Sequence, residues 1–191
     1  MRVLGVDPGL ARTGVAVVEG APGALRLIHA GCVHTAPGEG TDAQRLVLLF
    51  ASLEALVAEH RPDLAAVEQL FFASNRTTAM RVSEARGVAM CALARAGLDV
   101  AEYTPMQVKE AVAGYGGATK LQVGRMVRSL LRVDSLPGPD DTADACAVAI
   151  THHHRARMGR AAARGQVAAT AGANRLAEAV ARAQLRHAAG G

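Results

Sequence analysis

The chain has 191 residues, half of them hydrophobic, which is enough for one domain with a substantial core. No apolar run could span a membrane and no signal peptide is evident, so we predict a soluble, cytoplasmic protein. The formal net charge of +4 comes from the last part of the chain, because residues 155–191 carry seven arginines and one acid. Such a basic tail fits either an anionic partner such as nucleic acid or a solvated, solubilising segment.

Three strands are predicted first, at Arg2–Asp7, Thr13–Glu19 and Ala24–Thr35. Short turns join them, which favours an antiparallel meander. Apolar residues then recur at helical spacing over Asp42–His60. A fourth strand at Asp63–Gln69 follows this helix, and a strand reached through a helical crossover is typically parallel to its neighbour.

The remaining chain is predicted to alternate between helix and strand and then to become helical. A helix at Ser74–Ala96 precedes a fifth strand at Leu98–Tyr103, and three helices follow at Pro105–Ala113, Thr119–Val133 and Pro139–Arg155. The order β-β-β-α-β-α-β-α-α-α predicts an α/β fold: a five-stranded mixed sheet, three strands antiparallel and two parallel, flanked by helices. We assign residues 1–155 to this domain and residues 156–191, rich in Ala, Gly and Arg, to a flexible tail.

Acidic side chains occur where core residues are expected. Asp7 ends the first strand, Glu68 interrupts an apolar run near the end of the fourth, and Asp141 and Asp144 share a face of the last helix. Each has a structural explanation, such as a turn residue or a helix-start acid, but an unpaired buried carboxylate is costly. If the first and fourth strands are neighbours, Asp7 and Glu68 lie side by side, and the start of the last helix adds the other two.

Four converging carboxylates repel one another unless cations lie between them. Oxygen ligands of this kind suit Mg²⁺ or Mn²⁺, and two such ions support hydrolysis of a phosphodiester. The three consecutive histidines at 152–154 point in different directions on a helix, so we expect them to favour its C-terminus as cations rather than to bind a metal.

Several separate blocks resemble the RuvC family of crossover-junction endodeoxyribonucleases, which are bacterial Holliday-junction resolvases. The blocks are GVDPGLARTG (5–14), VEQLF (67–71), EARGVA (84–89), QVK (107–109) and DTADACAVAITH (141–152). The resemblance implies an RNase H-like fold and a homodimer that makes paired nicks in a four-way DNA junction. It also implies that Asp7, Glu68, Asp141 and Asp144 bind Mg²⁺ or Mn²⁺, and that the branch-migration helicase complex of the same pathway is a partner. Asp140 lies outside the motif and is predicted to be a helix-start acid.

The resemblance also indicates which residues contact DNA. Lys109 and Lys120, the two lysines of a chain with nineteen arginines, match DNA-binding positions of the family, although lone lysines can also belong to a solvated helix face. Arg76 and Arg86 are further candidates, and Arg86 could equally form an interior ion pair.

Two neighbouring phenylalanines follow Glu68 closely. Consecutive residues of an extended chain point to opposite sides, so one of Phe71 and Phe72 can pack inward while the other faces the acids. By the family match, Phe71 is the residue that stacks on a base or wedges into the junction.

The sequence therefore predicts a nuclease that uses a metal-activated water. The resemblance implies that it is a structure-selective endonuclease in homologous recombination and DNA repair, and that it leaves 5′-phosphate and 3′-hydroxyl ends. Two alternatives remain open. One is a junction-binding protein without catalysis. The other is an ATPase of actin-like fold, because the strand–turn–strand around Asp7 and Gly14 also occurs in phosphate-binding loops.

Overall fold

The structure is a computed structural model that describes residues 1–35, 38, 40–69 and 76–156, without the side chains of residues 76–78. The chain divides into two units, Met1–His154 and Arg155–Gly191, and the fold described below is that of the first. Within the described ranges, no helix is long and apolar enough to cross a membrane.

Five strands form one mixed sheet in the order β3-β2-β1-β4-β5. Their bounds are β1 (Arg2–Asp7), β2 (Arg12–Ala21), β3 (Ala24–His34), β4 (Leu64–Glu68) and β5 (Val100–Tyr103). Strand β2 is antiparallel to both β1 and β3, whereas β4 is parallel to both β1 and β5. The predicted mixed sheet is confirmed, and at each end that the structure describes the observed strands and helices match the prediction to within two residues.

Helices cover both faces of the sheet. They are α1 (Asp42–His60), α2 (Arg76–Arg95), α3 (Pro105–Ala113), α4 (Lys120–Leu131) and α5, whose described part is residues 140–156. Thr41, Thr104 and Thr119 begin α1, α3 and α4, and each accepts a hydrogen bond from the backbone N–H three residues later while a glutamine side chain caps in return. These reciprocal caps satisfy N–H groups that would otherwise lack partners at each helix start.

The alternation of side chains along the strands produces two hydrophobic layers. Leu4, Val6 and Val67 pack with α1 and α2 on one face, while Val3 and Ala66 pack with the other three helices on the opposite face. Side chains two residues apart in a strand lie on the same face. Asp7 and Glu68 therefore belong to the face that α5 covers, together with Arg12 and Gly14 of β2.

Two glycines allow α5 to lie directly against the sheet. A Cβ atom on Gly5 would be 2.2 Å from the carbonyl oxygen of Ala145, and one on Gly14 would be 2.0 Å from that of Asp141. Neither position has room for a methyl group, because a carbon and an oxygen at van der Waals contact are roughly 3.4 Å apart. The first turns of α5 are therefore located by contact with the middle of β1 and the start of β2.

The structure corrects the expectation for one of the three histidines, His153. His153 is 2 % exposed and its Nε2 lies 3.1 Å from the carbonyl oxygen of Val18, beside an irregularity in the β2–β3 pairing. Burial lowers the pKa of His153 and so favours its neutral ring. The ring joins α5 to β2 and does not lie exposed at a helix end. Its neighbours bond to other elements, His152 to the Tyr103 hydroxyl and His154 to the carbonyl oxygen of Ala111.

Candidate functional site

Asp7 and Glu68 lie side by side at the C-terminal ends of two inner strands of the sheet. They end the parallel strands β1 and β4, one residue beyond the register pair Val6 and Val67. Each carboxyl group lies close enough to the other to perturb its pKa. The predicted neighbourhood of the two acids is thus present in the structure.

Burial is the largest cause of the perturbed acidity of this pair. It raises the pKa of both carboxyl groups, and the charge of Asp144 raises both further. The charge of Asp7 also raises the pKa of Glu68. The pair therefore holds a proton more tightly than two free carboxyl groups would, because ionising both would bury two neighbouring negative charges.

Asp141 and Asp144 lie in the first turns of α5, at the same end of the sheet as Asp7 and Glu68. Each has a basic partner: Nε of Arg12 is 3.0 Å from Oδ2 of Asp141, and Nζ of Lys120 is 2.8 Å from Oδ2 of Asp144. The hydrogen bond to Asp144 is the largest cause of the raised pKa of Lys120. Two elements from opposite sides of the acids, β2 and α4, thus supply one positive charge each.

The donor set fits a hard divalent cation, because all four groups are carboxylates and such ions prefer oxygen ligands. Oδ2 of Asp141 is buried and has no hydrogen-bond partner, although it faces the Arg12 guanidinium. A buried acceptor without a directed bond is costly and is available to a cation. As they stand, no three acidic, histidine or cysteine side chains of the described residues are grouped closely enough to bind one ion.

A cavity of about 250 Å³ opens beside the acids. Glu68 and Asp144 line one part of it, and Lys109 and Lys120 line another. The rest of the lining is apolar and comes from Pro105, Val108, Val123 and Ala147. The two lysines predicted to contact DNA therefore share one cavity with two of the predicted metal-binding acids.

The remaining sequence candidates have different positions. Phe71 lies outside the described residues, as does the side chain of Arg76. Arg86 forms an ion pair with Glu102 of β5, which agrees with its interpretation as an interior partner. Asp140 is the first helical residue of α5, as expected of a helix-start acid.

Sequence reasoning missed Arg12 and the role of Gly14. Both lie within the block of residues 5–14, but neither periodicity nor local charge distinguishes them. The register of β1 and β2 distinguishes them, because Gly14 pairs with Asp7 and Arg12 lies two residues earlier on the same face of the sheet. A predicted β1–β2 register would have been the signal that could find them.

Comparison with known proteins gives a consistent result. The family profile described as crossover junction endodeoxyribonuclease RuvC matches residues 3–152. A crossover junction endodeoxyribonuclease RuvC of Roseiflexus sp. (strain RS-1) is 51% identical over 157 residues, which cover 82% of this chain and 93% of that protein.

Two solved structures are also similar. The Thermus thermophilus RuvC structure has a TM-score of 0.76 and 40% identity, covering 83% of this chain and 97% of that one. The structure of T. thermophilus RuvC in complex with Holliday junction substrate has a TM-score of 0.79 and 39% identity, covering 83% and 96%. The family profile thus spans all five strands from residue 3 onward and reaches into α5.

Proposed function

The chain belongs to the RuvC family of crossover junction endodeoxyribonucleases, and from this premise we propose that Asp7, Glu68, Asp141 and Asp144 form its catalytic centre. It is an endonuclease of RNase H-like fold that resolves Holliday junctions. The observation that carries the site assignment is the position of Asp7 and Glu68 side by side at the C-terminal ends of β1 and β4, where α5 begins.

The four acids would hold Mg²⁺ or Mn²⁺, and two ions per site would suit their number. When bound, these ions supply activation of a water molecule and stabilisation of the charge that develops on the phosphate oxygens. The buried, unpartnered Oδ2 of Asp141 supports this use of the site. The burial of Asp7 and Glu68 also supports this use of the site. Burial makes both groups costly to ionise and so raises their pKa, and a nearby cation would stabilise the ionised forms.

The chain's basic residues would hold the DNA strand. Lys109 and Lys120 line the cavity next to Glu68 and Asp144, so their ammonium groups can neutralise phosphates on either side of the one being cut. Lys120 would exchange its carboxylate partner for a phosphate as the strand enters. Phe71 and Arg76 follow β4 in the chain, and we assign them contacts with the unpaired bases and backbone at the junction centre.

The remaining parts of the proposal concern assembly. A homodimer would place two such sites on a roughly two-fold junction and so make paired, symmetric nicks with 5′-phosphate and 3′-hydroxyl ends. We place the nuclease in residues 1–155, leave residues 156–191 as a basic tail, and expect cytoplasmic action together with the branch-migration helicase complex of the same pathway.

The test uses labelled four-way, three-way and linear duplex DNA, each with EDTA, Mg²⁺ or Mn²⁺. We expect cleavage of the four-way junction alone, and only with a divalent ion. Asp7→Asn should abolish cleavage while junction binding stays nearly intact, because the change removes a proposed metal ligand and no phosphate contact. Asp99→Asn is the matched control, since this exposed acid precedes β5 and so lies at the N-terminal end of the parallel strands, away from the four acids. Cleavage by Asp7→Asn near the wild-type rate would refute the site assignment.

A further inference from the structure

Arg12 is the basic residue of β2, and it contacts Asp141. The DNA contacts proposed for Lys109 and Lys120 give it no role. It begins β2, on the sheet face that α5 covers. Its Nε is 3.0 Å from Oδ2 of Asp141, and its side chain is 57% exposed. The guanidinium therefore contacts a buried oxygen while much of its own surface remains in solvent.

The contact between Arg12 and Asp141 neutralises charge without a well-directed hydrogen bond. Oδ2 of Asp141 has no hydrogen-bond partner although it is buried and close to Nε. A fully engaged arginine–carboxylate pair would instead donate two parallel N–H bonds to the two oxygens. The observed arrangement leaves the oxygen electrostatically compensated yet open to a second cation.

The two partners differ in how far they can move. Asp141 is held by the backbone contact between the start of α5 and Gly14, where not even a Cβ atom fits. Arg12 projects from a strand end on a flexible stem and is more than half exposed. If one partner is displaced, the physical expectation is that the arginine side chain rotates away while the aspartate stays.

We propose that Arg12 is an internal counter-ion that occupies Asp141 in the metal-free protein, competes with the divalent ion for it, and on release binds a phosphate of the DNA strand. The proposal rests on the metal-binding role of the acids given above. It makes Arg12 a positioning residue on the β2 side of the site, opposite Lys109 and Lys120, so that the strand is held from both sides. Guanidinium groups suit this exchange, because they pair equally well with carboxylate and phosphate.

The first measurement is Mn²⁺ binding by calorimetry without DNA, at low ionic strength. Arg12→Gln should bind Mn²⁺ about 3- to 10-fold more tightly than the wild type, because a competing positive charge has been removed. Arg12→Lys, which keeps the charge, should remain close to the wild-type affinity. The matched control is Arg26→Gln. Arg26 is also exposed and ion-paired, but its partner is Glu19 on the β2–β3 side of the sheet, away from the acids, so this variant should keep the wild-type Mn²⁺ affinity.

The second measurement is junction binding in Ca²⁺ over a series of salt concentrations. Arg12→Gln should weaken binding and lower the slope of log K against log salt by about one, the value for one lost phosphate contact. Arg26→Gln should keep the wild-type slope. Unchanged or weaker Mn²⁺ binding by Arg12→Gln would overturn the competition, and an unchanged salt slope would overturn the transfer to phosphate.

Failure of this proposal is distinguishable from failure of the site assignment. Mn²⁺ binding by the wild type that is lost in Asp7→Asn supports the acidic metal site whatever Arg12 does. If Arg12→Gln then behaves like the wild type, only the exchange is refuted. If the wild type binds no Mn²⁺ at all, the metal site and the exchange are both refuted.

Discussion

Gly14→Ala adds a single methyl group at the place where β2 touches the start of α5. The added Cβ would lie 2.0 Å from the carbonyl oxygen of Asp141, 2.7 Å from its carbonyl carbon and 3.4 Å from the Cβ of Ala145. An ordinary carbon–oxygen contact needs roughly 3.4 Å, so β2 and α5 would have to separate by about 1.4 Å. Both close neighbours are backbone atoms, and no side-chain rotation can relieve the overlap.

This displacement falls on the two helical acids rather than on the strand acids. Asp141 and Asp144 move with α5, whereas Asp7 and Glu68 are held by β1 and β4. A misplacement of about 1 Å at an active site can cost on the order of 100-fold in rate. Overpacking a core contact costs about 1–3 kcal/mol, or roughly 2–12 °C in Tm for a unit of this size. We therefore expect a folded protein whose cleavage rate is reduced by about two orders of magnitude.

The assay is single-turnover cleavage of a labelled four-way junction, carried out below the melting temperature of the variant as measured by circular dichroism. Gly124→Ala is the matched control, because its Cβ would meet nothing within 4 Å and it lies inside α4. That change should leave cleavage unaltered and raise stability by about 0.5–1 kcal/mol, the usual gain for alanine over glycine in a helix. A Gly14→Ala protein that is folded and cuts within threefold of the wild type would refute the argument that this contact positions the helical acids.

Three further predictions concern single residues. In EDTA, wild-type stability should fall as pH rises from the ordinary glutamate pKa to the raised pKa of Glu68, about 8, because the folded state binds that proton more tightly than the unfolded chain does. A tenfold difference in proton affinity corresponds to about 1.4 kcal/mol of stability. Glu68→Gln should therefore melt at a higher temperature than the wild type in alkaline buffer but not in mildly acidic buffer, and equal melting at both would contradict the assignment. Lys109→Ala should weaken junction binding and reduce its salt slope by about one; a slope that stays the same would count against the contact. Phe71→Ala should impair junction cleavage more than it lowers Tm, and a large loss of Tm with normal cleavage by the folded fraction would assign Phe71 to the core instead.

The order of helices and strands was predictable because its causes are local. The change from alternating apolar residues to helical spacing at Asp42 distinguishes the meander from the first crossover helix. Threonine and proline at Thr104 and Pro105 indicate the start of α3, and the observed cap forms there. The prediction for His153 was wrong for the complementary reason: the sequence does not say that β2 would present the carbonyl oxygen of Val18 to the buried ring of His153.

The sequence by itself determined which acids are candidates for the site, since a carboxylate at the end of an apolar strand is costly unless a cation or a partner compensates for it, and that cost is visible at Asp7 and Glu68 without coordinates. Only the tertiary structure decided how their charges are shared. The raised pKa of Asp7 and of Glu68 follows from their burial side by side in the parallel register of β1 and β4. The Arg12–Asp141 pair follows from the antiparallel register of β1 and β2 and from the contact of α5 with Gly14. Register and packing distance join segments far apart in the chain, and no local pattern of residues specifies them.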